Sequence, residues 1–578
     1  MRENFRPRFV PAAIVLLSIL GLGVVGSART PVPAAVLAAS QPQTQAPAKP
    51  QSQSAVLPPQ PRTPTPADIL RGAYGPYRAN NDLLSYDLDI RVDPEQKSIA
   101  GNNRITFKML KDDSRVQLDL TAGLSVDKIL LGATELKYTR EFDAVFVDFP
   151  APLKKGAVVA IDFHYSGKPA ETGRFGGITF RRDPWGHPWI TTACQGPGAM
   201  VWWPNKEQQR DEVEHMNLRV AIPSGLVDVS NGRLEKKTDL GDGYTRWDWA
   251  IHYPINNYCV ALNIGDYAHF SDALGSLTLD FYCLPENLEK AKRQFAQAKP
   301  MIACFQKYFG EYPFKKDGYK LIEVPYSGME HQTAVSYGNH FANGYLERDW
   351  TGVGVSLKFD FIIIHESSHE WFGNSITAAD VCDEWIHEGW GTYAETIYVE
   401  EMFGREDALK YVNGYKSKVR NRQAIITPAG VNATPPQDMY FKGALFLNTL
   451  RNVVGNDPRW WRLVRDCYNT FKYRTIATED MVKFFNRQTG QNLTPIFDQY
   501  LRHTAIPALE LKFDEAAGRV DFRWKVDEPA FAMPVKVGRK DRWQTIKPTT
   551  EWQTMTTALK KDEFEVATDL FYIAVEKN

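Results

Sequence analysis

Apolar and polar positions change period along the chain, and the changes divide it. Tyr86, Leu88, Ile90 and Val92 alternate with Asp87, Asp89 and Arg91, and turn residues recur at Asp93-Pro94 and Asn231-Gly232. Period-two alternation between such turns predicts an antiparallel β domain over residues 74–270. From 271 to 505 helical patterns dominate after a short mixed segment, in which Tyr319–Val324, just before Pro325, reads as a strand at the edge of a small sheet. Leu357–Ile364 runs without Gly or Pro towards Gly373-Asn374, which predicts a core helix ending near Gly373. The stretch Trp385–Glu395 predicts a second, amphipathic helix, with Asp383 as candidate N-cap and Gly404 as candidate stop. After Ile506-Pro507 strands return, with Leu509, Leu511 and Phe513, then Val520, Phe522, Trp524 and Val526 beyond Gly518. Residues 506–578 fit a small β-sandwich. The fold class is multidomain α+β.

The first residues read as an address. Arg2, Arg6 and Arg8 precede an apolar run from Phe9 to Gly26, and Gly26-Ser27-Ala28 offers small residues for cleavage. Residues 1–28 are therefore expected to be a signal peptide that exports a bacterial protein to the periplasm or beyond. An uncleaved N-terminal anchor facing the periplasm is the alternative, because the run approaches spanning length. Residues 29–73, rich in Pro, Gln and Ala, have the composition of a disordered linker. In the 578-residue chain, 68 Lys and Arg nearly balance 69 Asp and Glu, so no polyanionic partner such as nucleic acid is implied. The six Cys have no C-x-x-C spacing, which argues against a thiolate metal site. They are either free and buried or paired in one or two disulfides.

Chemistry concentrates at His365-Glu366-Ser367-Ser368-His369, followed after eighteen residues by Glu388. On a helix, i and i+4 share a face, so His365 and His369 can reach one metal ion. Glu388 near the start of the next helix completes two His and one carboxylate with an open fourth position, the pattern of a catalytic zinc. Glu366 is shifted round the helix from the first ligand. It is placed to take a proton from a metal-bound water rather than to bind the metal.

These motifs resemble the zinc aminopeptidases typified by aminopeptidase N and leukotriene-A hydrolase, in a compact three-domain form. That family carries H-E-x-x-H, the eighteen-residue gap and a Glu in a W-L-N-E-G-F-like segment, here Trp385-Ile386-His387-Glu388-Gly389-Trp390. Its G-x-M-E-N hallmark appears as Ser327-Gly328-Met329-Glu330-His331, and its Y-x-K-G context as Tyr440-Phe441-Lys442-Gly443. The resemblance implies a saddle-like β domain flanking a thermolysin-like catalytic domain. It implies one zinc per chain on His365, His369 and Glu388, with Glu366 as general base and Tyr440 as donor to the oxyanion. Glu330, by the same resemblance, binds the free α-ammonium of a peptide, and Gln195 resembles a second amine-binding position. Gly328 and Met329 would let a substrate strand pair with the backbone there. Zinc-dependent removal of N-terminal residues from peptides is the expected activity. A thermolysin-type endopeptidase, which needs no Glu330, and a non-catalytic peptide-binding module on the same fold are the alternatives.

The chain departs from the family pattern at Ser327, His331, Glu370 and His387, usually Gly, Asn, Gln and Asn. Each His either replaces an amide hydrogen-bond partner or adds a titratable group near the site. Trp202, Trp203 and Trp371 are candidates for lining the cleft or for core.

Overall fold

The computed structural model describes residues 63–171 and 176–578. The expected signal peptide, 1–28, and most of the expected linker lie outside the described residues. Among the described residues no helix is long and apolar enough to cross a membrane.

The β part is built round Asn81–Asp93, in which Leu83 is buried and, beyond a register shift at Leu83/Ser85, the alternating residues Tyr86, Leu88, Ile90 and Val92 are buried too. It pairs antiparallel with Ser98–Met109, Asp93 opposite Ser98, across the expected turn. Its other neighbour, His215–Pro223, runs parallel to it, so this eight-stranded sheet is antiparallel with one parallel pair. A parallel neighbour must arrive by a long crossover, which alternation within either strand cannot reveal. Asn231-Gly232 is not a surface hairpin turn. Asn231 is fully buried, and its side-chain amide donates to the carbonyls of Cys259 (2.8 Å) and Gln332 (2.6 Å). The bend thereby ties the β part to the loop that carries Glu330.

The second part holds a five-stranded sheet in the order Ala268–Leu274, Leu277–Cys283, Tyr319–Glu323, Val335–Tyr337, Gly328–Met329. Tyr319–Glu323 is the central strand, with all five residues buried, and not the edge. Continuous burial on both faces is what a strand with parallel neighbours requires. The edge is Gly328–Met329.

Helix Phe361–Ser368 is shorter than the sequence predicts. Asp360 starts it by accepting from the backbone N–H of Ile362 (3.1 Å) and Ile363 (3.3 Å), and His369 closes it. Helix Trp385–Phe403 ends at Gly404 with φ of 92°. It is not amphipathic: every residue from Trp385 to Val399 is buried. Asp383 does not cap it, because its carboxylate accepts from the hydroxyl and N–H of Thr478.

At the C-terminal end, a four-stranded and a three-stranded sheet contain the strands Ala508–Asp514, Arg519–Lys525 and Val535–Arg539. One apolar core serves the β part, and a second runs unbroken from Leu277 through the helices to Ile573. Trp202 and Trp203 lie in the first core and Trp371 in the second, so none of them lines the cleft. All six Cys are free and buried.

Candidate active site

Helices Phe361–Ser368 and Trp385–Phe403 bring three ligand-type atoms together. His365 Nε2 and His369 Nε2 are 3.4 Å apart, and each is 3.5 Å from Glu388 Oε2. Ligands about 2.1 Å from a tetrahedral zinc stand roughly 3.4 Å from one another, so the triangle has the size that zinc demands. Glu388 Oε2 is buried and accepts from no protein donor, as a metal-facing oxygen should. Among the described residues this is the one His/Cys/Asp/Glu cluster with metal-ligand spacing.

The outer contacts hold the imidazoles for this task. His365 Nδ1 lies 2.7 Å from Glu395 Oε1, and His369 Nδ1 lies 3.0 Å from the carbonyl of Phe372. A proton on each Nδ1 leaves each Nε2 lone pair facing the triangle. Glu395 is fully buried and also accepts from the hydroxyls of Tyr411 and Tyr415. The sequence reading gave Glu395 no role, although its position seven residues after Glu388 places both on one helix face. Gly391 supplies space, since a Cβ there would stand 2.7 Å from His369 Cε1.

One cavity of about 550 Å³ is lined by all nine residues singled out in the sequence: Gln195, Gly328, Met329, Glu330, His365, Glu366, His369, Glu388 and Tyr440. No Lys or Arg lines it. Glu366 lies beside the edge strand, where a Cβ on Gly328 would come within 3.0 Å of its Oε1. Burial pushes the Glu366 carboxyl up to about 7, with the Glu388 and Glu395 carboxylates adding to the rise and His365 opposing it. Gln195 donates from Nε2 to Glu388 Oε1 at 3.0 Å. The structure therefore brings Gln195 to a ligand-type carboxylate.

Glu330 is 2% exposed and receives the hydroxyl of Tyr258 on Oε1 at 3.0 Å. Burial, then the nearby carboxylates of Glu388 and Glu366, raise its carboxyl well above the usual range. Tyr440 lies in the first turn of helix Asp438–Val454, with its ring stacked on that of His365 at 6.1 Å between centroids. Burial and the Glu388 and Glu330 carboxylates raise its phenol well above the ordinary value, so it keeps its proton. Its helix approaches the Glu388 helix at paired glycines: a Cβ on Gly443 would stand 2.9 Å from Gly389 Cα. A smaller cavity of about 190 Å³ adjoins this one through Gln195 and Tyr440, and Tyr258 lines it.

His331 and His387 are fully buried, and each makes one hydrogen bond. His331 Nδ1 lies 3.1 Å from Ser336 Oγ, and His387 Nε2 accepts from the Ala378 N–H at 2.7 Å. Burial lowers both rings to about 3, so they stay neutral near pH 7.

Residues 293–500 match the model of the peptidase family M1 domain. That match, over about a third of the chain, supports the aminopeptidase N-type family that the motifs resemble. It is 22% identical over 440 residues to probable aminopeptidase 2 of Sulfurisphaera tokodaii, covering 73% of this chain and 54% of that protein. It is 27% identical over 286 residues to aminopeptidase B of Mus musculus, covering 46% and 41%. The chain thus spans about half the length of the relatives it matches. In fold it is similar to a mutant M1 zinc metallopeptidase of Deinococcus radiodurans, solved with a Tyr-Ser-Ala substrate bound. The TM-score is 0.62 at 18% identity, covering 74% of this chain and 96% of that one.

Proposed function

We propose that the chain is a zinc aminopeptidase that removes single residues from the free N-terminus of peptides. The observation that carries this reading is Glu330: a buried carboxylate beside the two-His, one-Glu triangle, in a cavity with no lysine or arginine. An α-ammonium, largely cationic at neutral pH with its pKa of about 7.7–8.0, is the complement of that carboxylate.

His365, His369 and Glu388 would hold one zinc, which when bound polarises the scissile carbonyl and acidifies the attacking water. Glu330 binds the peptide's ammonium and so fixes the first peptide bond at the triangle. Gly328–Met329, an edge strand with Val335–Tyr337 on its other side, offers backbone groups to an extended substrate. Glu366 accepts the proton of the attacking water and delivers it to the leaving amine. Tyr440 donates its phenolic hydrogen to the oxygen that gains charge. Gln195 keeps Glu388 oriented through the 3.0 Å amide contact.

Metal analysis of the purified protein is expected to find about one zinc per chain. The double substitution His369→Ala, Glu388→Ala should retain none; metal held by that variant would place the ion elsewhere.

The decisive comparison is between free and N-acetylated forms of the same peptide. Acetylation removes the cation and leaves Glu330 facing a neutral amide. It should cost about 2–5 kcal/mol, well over tenfold in kcat/KM. Free peptides should be trimmed one residue at a time. Internal cleavage of acetylated peptides at comparable rates would establish the endopeptidase instead. Export to the periplasm belongs to the same proposal. It rests on residues 1–28, and N-terminal sequencing of the mature protein tests it.

A further inference from the structure

Glu330 is gripped at two points by residues that take no part in the chemistry above. The Tyr258 hydroxyl donates to its carboxylate at 3.0 Å, and the Asn374 side-chain amide donates to its backbone carbonyl at 2.9 Å. The two come from different parts of the fold. Tyr258 lies in the short helical turn Asn257–Cys259 of the β part, whereas Asn374 follows His369 by five residues. Both are at least nine-tenths buried, at 4% and 2% exposure.

The grips are themselves linked. The Cys259 thiol, next to Tyr258, lies 3.1 Å from Asn374 Oδ1 as donor. The Asn374 amide also donates to Glu370 Oε1 at 3.0 Å, and that same oxygen accepts from the N–H of Thr333 at 2.9 Å. Three segments, 258–259, 330–333 and 370–374, are thereby closed by hydrogen bonds into a ring that passes through Glu330, at its carboxylate on one side and its backbone carbonyl on the other. A buried side chain whose donors and acceptors are met by fixed partners keeps one orientation.

From this ring we infer that Tyr258 and Asn374 are positioning residues that aim Glu330 at the substrate amine, so that the amine site exists only where the β part meets the segment leaving the metal-binding helix. The inference rests on the aminopeptidase reading. It adds that substrate register is set by residues outside the M1 domain match as well as inside it, since Tyr258 precedes residue 293.

Tyr258→Phe deletes one oxygen and leaves the ring's packing, so it is the first test. With a free-amine peptide, KM should rise about tenfold while kcat stays within about threefold, the pattern of lost uniform binding. The preference for free over N-acetylated peptide should fall by the same factor, with zinc content unchanged. Asn374→Ala should move both readouts the same way. A wild-type preference in both variants overturns the inference and leaves the aminopeptidase reading standing. Equal losses on free and acetylated peptides, accompanied by a lower Tm, mean a merely structural role and overturn it too. If the unaltered protein cleaves both peptides equally, the aminopeptidase reading falls first and the positioning role falls with it.

Discussion

Glu366→Gln should keep its zinc, still bind peptides and lose about 10²–10⁴-fold in turnover, the scale of a missing general base. The amide is nearly isosteric with the carboxylate, and Glu366 is not one of the three triangle residues, so the metal has no reason to leave. What disappears is the group that accepts a proton. It lies beside Gly328, at the flank of the edge strand. Metal analysis, peptide binding by calorimetry and kcat on a free-amine reporter together check the prediction. Turnover near that of the unaltered protein would assign the base to another residue.

Tyr440→Phe should lower kcat by about 10²–10³ with little change in KM, because the phenol acts on charge that develops only in the transition state. Burial together with the Glu388 and Glu330 carboxylates holds the phenolic proton in place at working pH. The ring's stack on His365 survives the substitution, so the imidazole keeps its neighbour. Steady-state kinetics on one free-amine substrate separate the cases: a KM effect alone would make Tyr440 a wall of the cavity, not a donor.

Much of this protein is legible from local pattern, and the failures share a cause. Alternation in Asn81–Asp93 gives a strand and its buried face, because a strand half-covered by core must alternate. Metal-ligand spacing gives the triangle, because helix period fixes which side chains meet. Where burial comes from all sides, local pattern carries no direction. Tyr319–Glu323 reads as an edge although parallel neighbours cover it, and the Glu388 helix reads as amphipathic although Ile386, Thr392 and Glu395 are all enclosed. Asp383 looks like a cap from its place in the chain, yet Thr478, ninety-five residues on, takes its carboxylate. Tyr258 and Asn374 belong to the same class. Each meets Glu330 across a long stretch of chain, and nothing in the composition around either announces the partner.

The last strands of the chain are not an appendage. Tyr572 N–H donates to Thr449 Oγ1 at 2.9 Å, Tyr500 OH donates to the Tyr572 carbonyl at 2.7 Å, and Asn452 reaches the Leu570 carbonyl at 3.0 Å. Thr449 and Asn452 lie on the helix Asp438–Val454 that holds Tyr440 in its first turn, about two and a half to three turns beyond that residue. The C-terminal strands therefore back the helix that carries Tyr440 and share its apolar core. Modularity ends here. Limited proteolysis near residue 506 would yield no self-sufficient folded fragment, calorimetry would find these two parts melting as one cooperative unit, and an engineer exchanging the C-terminal strands for others would be removing the support of the helix that carries Tyr440.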